Sequence, residues 1–167
     1  VYISFYQPQY QTQVIGLILH IQRQEFGLPI TLEDQPDLLN ISKVYQQGNG
    51  NFWIAVENDQ VIGTIAAIDI QNHQLALRKL FVTSAYRATN WEPLEVSIGQ
   101  QLLNTLRHWA TERNIKDIYL GTVSTFKAAH RFYQKNGFQR IDRADLPHTF
   151  PSMSGDTHFY RLIMRQS

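Results

Sequence analysis

The stretch AAHRFYQKNGF, residues 128–138, sets a tyrosine on the apolar side of a helix end, one turn before an Asn136-Gly137 stop. A phenol so placed is either a core residue that needs only a hydrogen-bond partner or a group with chemistry to do. The other reactive side chains are few. Cysteine is absent, which removes disulfides, thiolate nucleophiles and Cys-ligated metals together. The six histidines form no H-x-x-x-H or similar pair, so no metal site is expected. His130 shares the helix of Tyr133, three positions back, and reads as a polar surface residue.

The chain around these residues is ordinary in composition. At 167 residues it reads as one domain, residues 1–167, able to bury a core without staples. Hydrophobic residues make up 43% and charged ones 17%, which suits a globular protein and not a disordered one. The net charge is +1 with no basic run, so neither nucleic acid nor a membrane surface is expected as a partner. The longest apolar run, VIGLIL at Val14 to Leu19, is too short to span a bilayer, and its flanks do not resemble a signal peptide. A cytoplasmic protein is the expectation.

The elements that must position the phenol follow from periodicity. VYISFYQ alternates as an opening strand, and Pro8 starts a helix carrying Ile15, Leu17, Ile18 and Ile21 that ends at Gly27. A second helix is expected from Pro36, capped by Asp34 or Gln35, to the GNGN turn after Gln47. NFWIAVE and VIGTIAAIDI form a hairpin across NDQ, and QNHQ leads into a third strand, LALRKLFV. After a polar loop, Ile98, Leu102, Leu103, Leu106, Trp109 and Ala110 share one helical face. KDIYLGT is a strand buried on both faces, and Phe126 to Lys135 is helix again. FQRID and THFYRLIM close the chain as strands. Gly137 supplies the positive φ that ends the last helix. The order β-α-α-β-β-β-α-β-α-β-β predicts an α/β layer fold with a mixed sheet.

That order, with YLGTVSTFKAAHRFYQKNGF at its end, resembles the GNAT superfamily of acyl-CoA-dependent N-acyltransferases over nearly the whole chain. Ala129, Phe132, Tyr133, Lys135, Gly137 and Phe138 match the family's A..FY.K.GF pattern. The resemblance implies a mainly antiparallel sheet whose central strands, LRKLFV and KDIYLGT, splay apart. It puts Tyr133 beside the thioester sulfur of acetyl-CoA, as the catalytic acid. A phenol of ordinary pKa about 10 can protonate a departing thiolate of pKa about 8.5. LRKLFVTSAYR is similar to the family's cofactor strand, where Phe81 and Val82 would meet the pantetheine arm through strand-like pairing. Arg87 and SIGQQLL stand where the family binds the pyrophosphate, which implies Arg87, Ser97, Gly99 and Gln100 as cofactor-binding residues. An insertion, Ala88 to Val96, separates Arg87 from that helix, and Trp91 within it needs a partner such as adenine, substrate or a second subunit.

The implied activity is acetyl transfer to a primary amine of a small molecule, peptide or protein by direct attack. A non-catalytic acyl-CoA-binding or partner-binding domain of the same fold is the alternative. The acceptor is expected between the loops QEFGLPITLEDQP and LPHTFPSMSGD, with Glu25, Arg78 and Phe150 as substrate-binding residues and Phe26 and Met153 nearby. Asp69, Glu57, Glu25 and Asp156 are all candidates for the amine's proton, and the sequence does not choose among them. The apolar residues of the closing hairpin suggest a homodimer.

Overall fold

The computed structural model describes residues 1–87, 96–153 and 155–165. The strands are β1 (Tyr2–Phe5), β2 (Asn51–Glu57), β3 (Gln60–Asp69), β4 (Gln74–Val82), β5 (Asp117–Thr122), β6 (Gln139–Ile141) and β7 (His158–Ile163). The helices are α1 (Gln11–Leu19), α2 (Ile41–Tyr45), α3 (Ile98–Glu112) and α4 (Lys127–Lys135). They build the expected mixed α/β fold, a seven-stranded sheet in the order β1-β2-β3-β4-β5-β7-β6. Only β4 and β5 run parallel.

Alternation along the strands divides the core in two. Phe52, Ile54 and Val56 of β2 face one layer, with Val14, Ile18 and Ile21 of the first helical segment and Ile41 and Tyr45 of α2. Trp53 and Ala55 face the other, with Ile98, Leu102, Leu103 and Leu106 of α3. Both faces are covered, which is why NFWIAV reads as one apolar run. The β2–β3 turn takes positive φ at Asn58 and Asp59, a combination that Asn and Asp tolerate.

The expected splay is present. β4 and β5 pair only at Gln74–Asp117, Leu75–Ile118 and Ala76–Tyr119, and beyond those three pairs they part. A bulge in β4 accompanies the parting. Between the pairs Ala66–Arg78 and Thr64–Phe81, Ile65 alone opposes both Lys79 and Leu80. Lys79 sits there at φ +56°, a costly conformation for a residue with a Cβ. The bulge sends Arg78 and Lys79 to the same face of the sheet, and Leu80 returns to the α3 layer.

Two helices differ from expectation. α1 continues as a π-helical turn over His20–Glu25 before Gly27 ends it at φ +62°. The second helix is broken: a 3-10 turn, Pro36–Leu39, stops at Asn40, and α2 begins after it. Gln35 stands at the expected cap position, but its side chain is turned into the core and makes no capping bond, and Asp34 accepts from the N–H of Thr31 at 2.9 Å. The closing hairpin also differs. Phe159, Tyr160 and Leu162 are buried in this chain's own core, whereas Ile163 is well exposed.

Candidate active site

The question of why a tyrosine precedes the α4 stop has a local answer. The N–H of Phe138 donates to the carbonyl of Tyr133 at 3.0 Å, and that of Gly137 to Gln134 at 3.2 Å. Gly137 takes φ +89°, so these four residues form a Schellman stop. The hydrophobic contact that accompanies such a stop is the Tyr133–Phe138 ring pair, with centroids 5.5 Å apart. The ring also packs on Phe132 and Tyr160, and Tyr133 is 6% exposed. It belongs to the core cluster containing Leu77 and Leu120, the residues immediately beyond the last β4–β5 pair. Among the described residues its hydroxyl has no hydrogen-bond partner, although buried phenols normally find one. Burial pushes the phenol well above its ordinary value, which keeps it protonated and makes it a weaker acid than a free phenol.

His130 is not the surface residue its pattern suggested. It is half-buried, with Nε2 2.9 Å from the Val123 carbonyl and Nδ1 2.7 Å from the Tyr160 hydroxyl. A carbonyl only accepts, so Nε2 carries the proton and Nδ1 accepts from Tyr160 in the neutral ring.

The remaining expected cofactor residues cluster at the open end of the splay. Phe81 has its carbonyl turned toward β3, close to Gly63, and alternation directs the backbone of Val82 to the free edge. The Val82 carbonyl there accepts from Arg87 Nε at 3.1 Å. Ser97 caps α3 by accepting from the Gln100 N–H at 3.2 Å, which leaves the first-turn amides of Ile98 and Gly99 without intrahelical acceptors. Among the described residues, a Cβ on Gly99 would meet only Val82, at 3.9 Å. The Gln100 side chain bridges to Asn136 at the end of α4, at 2.8 Å. The inserted loop, with Trp91, lies outside the described residues.

Arg87 and Glu25, expected in different subsites, are brought together as an ion pair at 2.5 Å. Beside them an aromatic bridge spans the mouth of the splay. Phe26 stacks edge-on against Phe126 at 4.6 Å, and Phe126 reaches Phe81 at 6.4 Å. Periodicity offers no signal for Phe126, because it sits at the cap of α4 outside any repeat.

The two expected loops come together over the opposite face, where Asp34, Pro36, Pro151 and Met153 line an open cavity of ≈ 560 Å³ with Asp37, Lys43 and Arg78. Arg78 touches the Met153 sulfur and lies 5.9 Å from the Tyr45 ring. Phe150 packs away from the cavity, on the cluster of Ile70, Ala76 and Tyr119. Behind the cavity lies a buried polar network absent from the sequence-based reading. Lys79 Nζ donates to Gln35 Oε1 at 2.5 Å and lies 3.4 Å from Asp37, which accepts from the Tyr45 hydroxyl at 2.6 Å. Gln35 and Gln22 exchange amide hydrogen bonds at 2.8 and 3.1 Å. Lys79 is 7% exposed, and burial lowers its pKa to about 8 against the opposing pull of Asp37. Two adjacent charges inside LALRKLFV were the available signal, since a regular strand would drive one of them into an apolar layer.

Of the four acids, Asp69 accepts from the N–H groups of Asn49 and Gln71 in a turn, Glu57 accepts from Tyr86, and Glu25 is held by Arg87. Asp156 is half-buried beside β5. Among the described residues no group of His, Asp and Glu is arranged to hold a metal, and no helix is long and apolar enough to cross a membrane.

A splayed β4–β5 fork flanked by α3 and α4 defines the GNAT class of acetyltransferases. The chain matches the acetyltransferase (GNAT) family over residues 15–138 and belongs to it. A solved acetyltransferase of the GNAT family from Staphylococcus aureus Mu50 is 39% identical, with a TM-score of 0.91 over 98% of this chain and 99% of its own. The N-acetylaspartate synthetase of Danio rerio is 28% identical over 120 residues, 71% of this chain and 40% of that protein. The chain spans roughly half the length of the curated relatives it matches. The PaiA N-acetyltransferase of Thermoplasma acidophilum, solved in complex with coenzyme A, shares the fold at 15% identity, with a TM-score of 0.72 and 98% of each chain covered.

Proposed function

We propose that the chain transfers an acetyl group from acetyl-CoA to a primary amine of a small molecule, peptide or protein, by direct attack of the neutral amine. The observation that carries this reading is the protonated phenol of Tyr133, without a hydrogen-bond partner among the described residues and packed with Leu77 and Leu120 where β4 and β5 part. An extended amide-bearing arm laid along the free edge of β4 would find the Val82 N–H facing it, in the manner of an added strand. First-turn amides of α3 would meet the diphosphate, favoured by the helix dipole. The amine attacks the thioester carbonyl carbon, the C–S bond breaks, and the thiolate takes the Tyr133 proton. The surplus proton on the new amide nitrogen restores the phenol.

A non-catalytic acyl-CoA-binding module is the second reading. It is favoured by the Arg87–Glu25 pair, which occupies an arginine expected to hold phosphate. Acetyl-CoA at 100 times its Kd should raise stability by about 2.7 kcal/mol under either reading. Free thiol released in proportion to acetylated amine separates them: turnover supports the enzyme, and a thermal shift without turnover supports the module.

A further inference from the structure

Arg78 and Asp156 stand on the same face of the sheet, on opposite arms of the fork. Arg78 projects from β4 into the ≈ 560 Å³ cavity. Among the described residues Lys79, Arg87 and Arg161 each pair with a carboxylate, and Arg78 pairs with none. A guanidinium held by a thioether and a tyrosine ring, in a cavity, has its planar fork of donors free for an anion. Asp156 belongs to the loop that carries Met153, and its Oδ2 accepts from the Met153 N–H at 3.3 Å. That oxygen lies over Gly121, on the part of β5 that has left β4. A Cβ on Gly121 would stand 2.6 Å from it, so the glycine is what admits the carboxylate.

We propose that the acceptor is an amine carrying a carboxylate, bound as a zwitterion with its carboxylate on Arg78 and its ammonium on Asp156, and that Asp156 is the base that frees the amine. This rests on the acetyl transfer proposed above. Asp156 takes one proton from the ammonium, the neutral nitrogen then forms the C–N bond as C–S breaks, and Asp156 afterwards releases its proton to solvent. The charged groups around Asp156 are Arg78 and Lys79 of β4 and Arg143 of the loop after β6, whose guanidinium donates to the Asp156 backbone carbonyl at 3.0 Å. Desolvation nonetheless raises the carboxyl above its ordinary value, which suits a group that must accept a proton from an ammonium ion.

The test uses free L-amino acids, the same compounds with the carboxyl amidated, and the matching amines without a carboxyl. For the wild-type protein, amidation should raise KM about 10- to 100-fold, the worth of a hydrogen-bonded charge. Arg78→Ala should bring acid and amide to the same kcat/KM. Asp156→Asn should lower kcat by roughly 10²-fold at neutral pH, recovering as rising pH deprotonates the free amine, with the acetyl-CoA thermal shift unchanged. Equal turnover of acids and amides by the wild-type protein, without any substitution, overturns the zwitterion. A pH profile for Asp156→Asn that parallels the wild type overturns the base. A wild-type protein that acetylates none of the amines overturns the acetyl transfer itself, and this assignment with it.

Discussion

The two faces of the sheet at the fork are chemically opposite, although one strand supplies both. On the α3 side, Leu75, Leu77 and Leu80 of β4 share an apolar cluster with Leu120 and the Tyr133 phenol. On the α2 side, Arg78 and Lys79 face Asp37, Tyr45 and Asp156. The bulge makes this possible, since without it Lys79 would point into leucines. An apolar side suits release of a soft thiolate next to a neutral acid. A charged side suits recognition and deprotonation of an amine. On the proposed reaction, the strand would separate its two proton transfers by a single layer of backbone.

The charged side yields the largest expected effect. Lys79 has a pKa near 8 in the fold against 10.5 ordinarily, so between those values the unfolded chain binds more protons. Stability of the wild type should therefore rise with pH across that window relative to Lys79→Met, by up to about 3 kcal/mol. Tyr45 and Tyr133, both raised by burial, lower stability above pH 10 in both proteins and cancel in the difference. Urea titrations of the two proteins at stepped pH measure it. A gap that stays constant from pH 7 to pH 10 would show that the lysine is not desolvated.

On the apolar side, Tyr133→Phe should lower kcat by about 10²-fold while leaving acetyl-CoA binding intact. Single-turnover assays with a calorimetric titration separate the two quantities, and unchanged turnover removes the phenol from the chemistry. Between the faces, Gly121→Ala would press its Cβ on Asp156 and on Phe159, 3.0 Å away. Overpacking of this kind costs about 1–3 kcal/mol, and here the displaced carboxylate should also lower kcat. A variant with full activity and an unshifted melting curve would mean that Asp156 has room to move. The smallest effect belongs to the rim. Glu25→Gln breaks a partly exposed pair worth less than about 1 kcal/mol, and it releases Arg87, so acetyl-CoA affinity should rise a few-fold. A fall in affinity would make Glu25 a cofactor-positioning residue instead.

The fold was legible because its cues are local. Period-two runs, the Asn58-Asp59 turn, and Gly27 and Gly137 at positive φ each fix an element without reference to the rest. Tyr133 was legible through the stop that follows it. The cavity side was not, because its network joins Gln22, Gln35, Asp37 and Lys79, residues far apart in sequence whose partners no spacing rule predicts. The break at Asn40 was hidden for a related reason: Leu38 and Ile41 are both buried, and that pattern is compatible with a continuous helix. Ser97 and Gly99 could be located by pattern, yet the side-chain bridge from Gln100 to Asn136 depends on how α3 and α4 lie together.

The three-pair contact between β4 and β5 has a consequence for solvent exchange. Four strands lie on one side of that junction and three on the other, joined by few rungs. Backbone amides in β2 and β3, paired on both edges, should exchange with deuterium only through global opening. The Val82 amide, on a free edge, should exchange through local fluctuation and slow sharply when an acyl-CoA arm pairs with it. Mass spectrometry of peptides covering residues 77–87 would then report occupancy of the fork directly, with no need for the acceptor to be known.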